Sequence, residues 1–593
     1  MSKPRRLFDC IEEQLKEGSI ETALAAKEDG QWRRYSTSEM KDIVDKLATG
    51  LLALGISSND MSIEGRDKIA VLSKNRPEWI FLDLAVQKIG AVLVPIYPTV
   101  HLNDLQFALN DAQVKLVFVN DEELLNKIQN VWPHTPSVKD VYSFENIEGI
   151  KHWKELLPLG KQEHYLQLTT ASERINTEDL FTIIYTSGTT GTPKGVMLSH
   201  HNVLSNVMSV LPHFGLTRST RVISFLPLNH IFERMVTYLY LFTGSNIYYA
   251  ESLDTLGDNL KDVKPHMFTT VPRLLEKVYE KIMKKAEALS GIKKKLFFWA
   301  LGLAEKYDLQ ENRGAFYNMQ LALANKIVFN KWREGLGNEI DFIVTGAAAC
   351  PLKMIRIFTA AGITILEGYG QTETSPVISV NRLEKELRKF GTVGPVIDGV
   401  EVKIAEDGEI LCKGPNVMIG YYKRPDLTAD VIIDGWLHTG DIGLMTEDGL
   451  LKITDRKKEI FKTSGGKYVA PQPIENKMIE SPWIEQIMVV GADQKFTGGL
   501  IVPAFHLVKE WCKQNGISVS ANEDIIQQPK VLERFKSIIE EYNKNFSQVE
   551  KIKKFELLPY EWSIEGGELT PTLKLKRKNI MEKHKQAVQK IYA

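Results

Sequence analysis

The sequence predicts an α/β protein: a large N-terminal domain of layered sheets and helices, joined to a small α+β C-terminal domain. Three observations carry this expectation. Short β-branched runs alternate with helical patterns from about residue 35 to 125, as layers with parallel strands require. A run rich in glycine and hydroxyls, Tyr185-Thr186-Ser187-Gly188-Thr189-Thr190-Gly191-Thr192-Pro193-Lys194-Gly195-Val196, lies between two more such runs. A polar, charged stretch, Asp455–Lys458, separates two strand patterns and suits an exposed linker. That places one domain at residues 1–455 and the other at 456–593.

Taken in order, Ser38 precedes Met40, Ile43, Leu47 and Leu51 at helical spacing and reads as a helix cap. Lys68–Ser73 reads as a buried strand, and Arg76-Pro77-Glu78-Trp79 opens a helix with proline in its first turn. Gly90–Pro95 and Val114–Val119 read as further strands. Phe181–Ile184 and Val196–Leu198 flank the glycine-rich run, and Ser199-His200-His201-Asn202 starts a helix. Glycine allows backbone N–H groups to close around an anion, hydroxyls add donors, and Lys194 adds a point charge. The run is not a Walker A loop, because Gly188 and Gly191 stand too close, Pro193 lacks a donor and Gly195 follows the lysine. A turn-rich surface loop is the plainer alternative.

Further along, His230 follows the strand pattern Val222–Phe225, a place that faces the site in many open sheets. A hydrogen-bonded structural histidine is the competing reading. Lys281–Leu303 carries Ile282, Ala286, Leu289, Ile292, Leu296, Trp299 and Leu303 at the spacing of one helical face. Its six lysines are opposed only by Glu287. It fits either a surface touching anionic membrane or a packed helix with a solvated lysine face, the commoner outcome.

Asp341–Thr345 runs into Gly346, Ala347, Ala348 and Ala349, whose small side chains leave room for a ligand or for close packing. Ile363–Leu366 reads as a strand ending in a turn that carries Glu367, Gly368, Tyr369, Gly370, Gln371, Thr372 and Glu373. Tyr369 can offer a ring face to a base, and Glu373 is a hard oxygen ligand suited to Mg2+ beside phosphates. Asp441 after Gly440 can accept both hydroxyls of a ribose, or sit in a plain turn. The basic run around Lys574 reads locally as a solvated tail.

Together these strings resemble the adenylate-forming superfamily of acyl-CoA synthetases, luciferases and nonribosomal adenylation domains. Asn-Arg-Pro-Glu-Trp, Gly-Ala-Val-Leu-Val-Pro and the terminal Leu-Thr-Pro-Thr-Leu-Lys-Leu look like the AMP-forming long-chain fatty acyl-CoA synthetases, over about residues 20–580. The resemblance implies a fatty acid substrate, ATP with Mg2+, and coenzyme A as co-substrate. It implies a phosphate loop of Thr186, Ser187, Gly188, Thr189, Thr190, Gly191 and Lys194. Gly346, Ala347, Ala348, Glu367, Gly368, Tyr369, Gly370 and Thr372 would line the nucleotide. Asp441 would serve the ribose and Arg456 the ribose and phosphate, and Ile453 would belong to the cofactor site. Thr186 and Glu373 would hold the metal. His230 would lie beside the acyl and thiol paths, and Lys574 would bridge the acid's carboxylate and the ATP phosphates. The C-terminal domain would be mobile, turning at Asp455–Lys458 so that Ser464, Gly465 and Gly466 meet the pantetheine arm of coenzyme A.

The 593 residues carry a formal net charge of −1, which points to no nucleic-acid partner. Cys10, Cys350, Cys412 and Cys512 lie far apart, which suggests a reducing compartment and no zinc site. The N-terminus shows no apolar signal region, and Ile80–Tyr97 is too short and too interrupted to span a bilayer. The expected setting is cytoplasmic, with a peripheral contact on the inner face of a membrane left open by Lys281–Leu303. A ligase for a medium-chain or aromatic acid, loading of a carrier protein, and a non-catalytic AMP-binding membrane scaffold remain as alternatives. The chain ends soon after Lys574 with no fused carrier domain, and the intact set of Lys574, Glu373, Asp441 and Arg456 speaks against a degenerate site.

Overall fold

The computed structural model describes residues 6–57, 60–186, 192–517, 521–570 and 574–593. Strands Lys68–Leu72 and Val92–Ile96 are buried at every position. Continuous apolar strands of this kind need both faces of their sheet covered. They belong to an eight-stranded sheet ordered Gly420–Tyr421, Lys194–Ser199, Leu180–Thr186, Val92–Ile96, Lys68–Leu72, Leu116–Val119, Asp140–Ser143 and Lys151–His152. Its pairs are parallel except those at the Lys194–Ser199 strand.

A second eight-stranded sheet runs Val377–Val380, Thr364–Gly370, Phe342–Thr345, Met267–Thr270, Arg221–Ser224, Asn246–Tyr249, Leu24–Glu28 and Gln31–Tyr35, antiparallel only at its two ends. One buried cluster draws on both sheets, including Phe181 and Ile184 from one and Val222, Ile247 and Phe342 from the other. Helix Pro77–Lys88 is buried from Pro77 to Gln87. Its Asp83 forms a fully buried ion pair with Arg234 of helix Ile231–Thr243, and Gln87 and the Tyr238 hydroxyl also donate to that carboxylate. A buried pair is tolerated only when its remaining lone pairs are bonded in this way. A third, antiparallel sheet contains Glu409–Lys413, Trp436–Met445 and Leu451–Arg456.

The remaining chain has its own buried cluster, from Val469 to Ile591, on a three-stranded sheet of Ile484–Val490, Gly498–Pro503 and Lys554–Leu557. Among the described residues, no helix is long and apolar enough to cross a membrane. The layered α/β architecture and the smaller α+β C-terminal part agree with the sequence.

Four local expectations are corrected. Helix Thr37–Ala53 is capped by Ser36, whose Oγ accepts the Glu39 N–H at 3.1 Å, rather than by Ser38. Tyr369 lies on a strand rather than in a turn, because Thr364–Gly370 continues by pairing with Val377–Val380. Asp455 is buried within strand Leu451–Arg456, and only Lys457 and Lys458 of that stretch are exposed. Lys281–Leu303 is not one helical face, because helix Pro272–Glu287 ends at Ala288 and a new helix spans Gly291–Ala304. Gly291, at φ 58°, makes the break cheap.

Candidate active site

The site is built where strands stop. Phe342–Thr345 and Thr364–Gly370 run parallel, with Thr345 paired to Glu367. Gly346 and Gly368 are therefore neighbours, and a Cβ on Gly346 would stand 3.3 Å from the Gly368 carbonyl oxygen. Ala347 takes φ 68°, which turns the chain away, and Ala348 is exposed. A Cβ on Gly370 would stand 1.7 Å from the Pro376 carbonyl oxygen, so only glycine fits there. Thr372 opens the short helical turn Thr372–Thr374, which carries Glu373.

The antiparallel partners Trp436–Met445 and Leu451–Arg456 place Asp441 directly opposite Arg456. Asp441 is buried, and both of its carboxylate oxygens accept hydrogen bonds. Its Oδ2 accepts the Tyr369 hydroxyl at 2.8 Å and the Gln371 amide at 2.7 Å, and its Oδ1 accepts Arg456 Nε at 3.1 Å. Ile453 is three residues from Arg456, but the strand bulges at Thr454, so Asp441 pairs with Arg456 and Gly443 with Ile453 and both side chains stand on one face, with Ile453 partly buried against the main core.

Glu373 is held by Tyr421, whose hydroxyl donates to Oε1 at 2.8 Å. The Lys194 ammonium lies 5.0 Å from the Tyr421 ring centre, a cation–π contact. Thr186 pairs with Lys194 across the two strands, so the hydroxyl and the cation close the same edge. Ser187, Gly188, Thr189, Thr190 and Gly191 lie outside the described residues.

His230 caps helix Ile231–Thr243. Its Nδ1 accepts the Phe232 N–H at 3.1 Å, which puts the proton of the neutral ring on Nε2. Burial, and then the nearby Lys574 charge, push this imidazole down to about 4. Lys574 comes from the opposite end of the chain. Its N–H donates to Thr570 Oγ1 at 3.0 Å, and Leu569 bridges to Leu575, which fixes the backbone that carries the side chain. Pro571, Thr572 and Leu573 lie outside the described residues. Burial, and then the Arg456 charge, push the Lys574 ammonium down to about 8, while Asp441, Glu459 and Glu373 oppose that fall. Burial also lifts the Glu367 carboxyl to about 8.

The structure thus brings Lys574, His230, Arg456, Asp441, Tyr369 and Glu373 within electrostatic or hydrogen-bonding reach of one another, with Lys194 beside Glu373. Ile453 stands on the Arg456 face of its strand, whereas the loop Ser464-Gly465-Gly466 is not brought to the cluster. That loop is the exposed tip of the hairpin Phe461–Lys462 and Tyr468–Val469. Two participants escaped the sequence reading. Gln371 stood inside the quoted run, and its two amide donors beside a carboxylate were the available signal. Tyr421 gave no local signal, because its partner Glu373 lies 48 residues away.

Cations grouped around a buried carboxylate suit a polyanion that gains charge during reaction. No cluster of three or more ligating side chains occurs among the described residues. Glu373, a single carboxylate oriented by Tyr421, suits Mg2+ of the kind held by one carboxylate and the substrate's own phosphates. Glu373 Oε2 accepts no hydrogen bond among the described residues, and so has lone pairs for a cation.

A family model described as AMP-binding enzyme matches residues 11–422, and one described as AMP-binding enzyme C-terminal domain matches residues 458–593. The chain is similar to the long-chain-fatty-acid–CoA ligase FadD15 of Mycobacterium bovis, 31% identical over 95% of this chain and 93% of that one. It is similar to the long chain acyl-CoA synthetase 4 of Arabidopsis thaliana, 32% identical over 95% and 87%. Among solved structures it resembles the adenylation domain of a carboxylate reductase from Mycobacterium chelonae, with TM-score 0.76, 20% identity, and coverage of 100% and 92%.

Proposed function

The chain belongs to the AMP-binding enzyme family, and from that premise we propose that it is a long-chain fatty acid:CoA ligase. A carboxylate oxygen of the acid attacks the α-phosphorus of ATP, and pyrophosphate leaves. The coenzyme A sulfur then attacks the carbonyl carbon of the mixed anhydride, and AMP leaves. The observation that carries this reading is the convergence of Lys574 with Arg456, Asp441, Glu373 and His230. Two anions must meet in the first step, and a buried cation at that point offsets their repulsion.

In this reading Asp441 accepts the ribose hydroxyls, Arg456 serves ribose and phosphate, and Tyr369 packs on the adenine. Ser187–Gly191, with Thr186 and Lys194, close over the phosphates. Gly346, Ala347, Ala348, Glu367, Gly368, Gly370 and Thr372 line the nucleotide. Glu373 and Thr186 would hold Mg2+, which supplies neutralisation of the phosphate oxygens. Lys574 spans the carboxylate and the phosphates, and neutral His230 borders the acyl path.

Residues 1–455 and 456–593 act as two domains. The present arrangement, with Lys574 in the site, is the adenylating one. Rotation about Asp455–Lys458 withdraws Lys574 and carries Ser464-Gly465-Gly466 toward the pantetheine arm. The long acyl chain is supported by relatives of that name across 95% of the chain.

Pyrophosphate release with Mg·ATP and coenzyme A, compared across octanoate, palmitate, oleate and benzoate, tests the reading. Release should be fastest with palmitate or oleate and yield a thioester. Preference for octanoate or benzoate would overturn the substrate, and no release with any acid would overturn the activity.

A further inference from the structure

Asn75 opens the Asn-Arg-Pro-Glu-Trp string and stands just past strand Lys68–Leu72 of the first sheet. Its side chain crosses to the second sheet and bonds one segment there. Nδ2 donates to Ser224 Oγ at 3.0 Å and to the Leu226 carbonyl at 2.6 Å, and Oδ1 accepts the Leu228 N–H at 3.0 Å. That segment leads from strand Arg221–Ser224 to His230, the cap of helix Ile231–Thr243. A carboxamide donates and accepts at once, so it can hold a carbonyl and an N–H of the same turn, which a carboxylate cannot do.

Two routes carry this clamp to His230. Along the backbone, the Pro227 carbonyl, between the two residues whose backbone Asn75 holds, accepts the His230 N–H at 2.9 Å. The neighbouring Asn229 is fully buried, and its Nδ2 donates back to the Ile96 carbonyl of the first sheet at 2.6 Å. Through side chains, the Ser224 hydroxyl also bonds the Glu233 carboxyl in the first turn of the His230 helix, and the Thr269 hydroxyl donates to the same carboxyl. The ring follows the backbone, because His230 Nδ1 accepts the Phe232 N–H.

We propose that Asn75 is a positioning residue, which holds Ser224–Leu228 against the first sheet and thereby sets where His230 Nε2–H stands beside the acyl and thiol paths. It rests on the reading that places His230 on those paths. Displacing a group that meets substrate by about 1 Å costs on the order of 100-fold in rate, far more than a half-buried amide contributes to folding. Asn75 bonds none of the strands that carry Tyr369, Asp441 and Arg456, so the nucleotide side does not depend on it. A plain tie between the two sheets would instead lower stability with no preference among steps.

A double-mutant cycle of Asn75→Ala with His230→Ala, read as thioester formation from supplied palmitoyl-adenylate, tests the proposal. Asn75→Ala alone should slow this step at least about tenfold and raise KM for palmitate, with KM for ATP within about twofold of the parent. On the His230→Ala background the same substitution should change the rate by less than about twofold, because the group it positions is gone. Asn75→Asp has the same shape, keeps the acceptor for Leu228 and loses both donors. It should couple to His230 in the same way, and it serves the cycle should Asn75→Ala fail to fold. Equal losses on the two backgrounds would overturn the proposal and leave the reading of His230 standing. His230→Ala with the parent rate and the parent KM for palmitate would overturn that reading and the proposal with it.

Discussion

The Tyr369 hydroxyl donates to Asp441 Oδ2 at 2.8 Å across 72 residues of chain. Because Gln371 and Arg456 bond the same carboxylate, its orientation is set before any ligand arrives. Oδ1, which takes Arg456 Nε, keeps a second lone pair for a ribose hydroxyl, and a further hydroxyl would replace Tyr369 or Gln371 at Oδ2.

Asp441→Ala should therefore cost more than a single contact. It removes the acceptor and leaves the Arg456 guanidinium and the Tyr369 hydroxyl unpaired. ATP–pyrophosphate exchange should lose about 100-fold in kcat/KM for ATP, while Tyr369→Phe should lose about tenfold because Gln371 and Arg456 still hold the carboxylate. Equal losses, or no loss from Asp441→Ala, would refute the ribose assignment.

The charged form of Lys574 is the one that neutralises the reacting anions. With its ammonium pushed down to about 8 from an ordinary 10.5, deprotonation begins within the working range. The profile of kcat/KM for ATP, which reports the free enzyme, should fall as pH rises through about 8. His230, pushed down to about 4, is neutral throughout and should add no acidic limb near 6.5. Lys574→Arg should shift the alkaline limb out of range even if the plateau drops, because guanidinium stays charged. A limb that stays in place in Lys574→Arg would assign it to another group.

Arg273, at the start of helix Pro272–Glu287, forms an ion pair with Glu485 on strand Ile484–Val490 and also bonds Glu276 at 2.9 Å. It ties the larger part of the chain to the C-terminal sheet in the orientation that presents Lys574. Glu485→Ala should slow adenylation about threefold to fivefold, the scale of a partly exposed pair, and leave thioester formation from supplied acyl-adenylate unchanged or faster. Equal slowing of both steps in stopped-flow assays would mean that the pair does not select between orientations.

Legibility in the sequence followed how local each cause was. Lys68–Leu72 and Val92–Ile96 were readable because burial on both faces leaves a continuous apolar run, and Pro77 marked its helix start. Ser36 and Ser38 offer the same hydroxyl, and only the backbone path into the helix chooses between them. Tyr369 stayed on a strand because of the downstream segment Val377–Val380, a pairing invisible within a short window. Asp455 looked like linker by composition, and tertiary packing buried it. In the site, Tyr369, Glu373, Asp441, Arg456 and Lys574 stood out through their motifs, whereas Tyr421 became visible only through its hydrogen bond to Glu373.

Lys574 is expected to act in the first half-reaction alone. Lys574→Ala assayed separately in the two half-reactions is the direct measurement. Acyl-adenylate formation should fall several hundredfold, corresponding to about 3–4 kcal/mol of transition-state stabilisation, with thioester formation from supplied acyl-adenylate close to the parent rate. Equal loss in both half-reactions would contradict it.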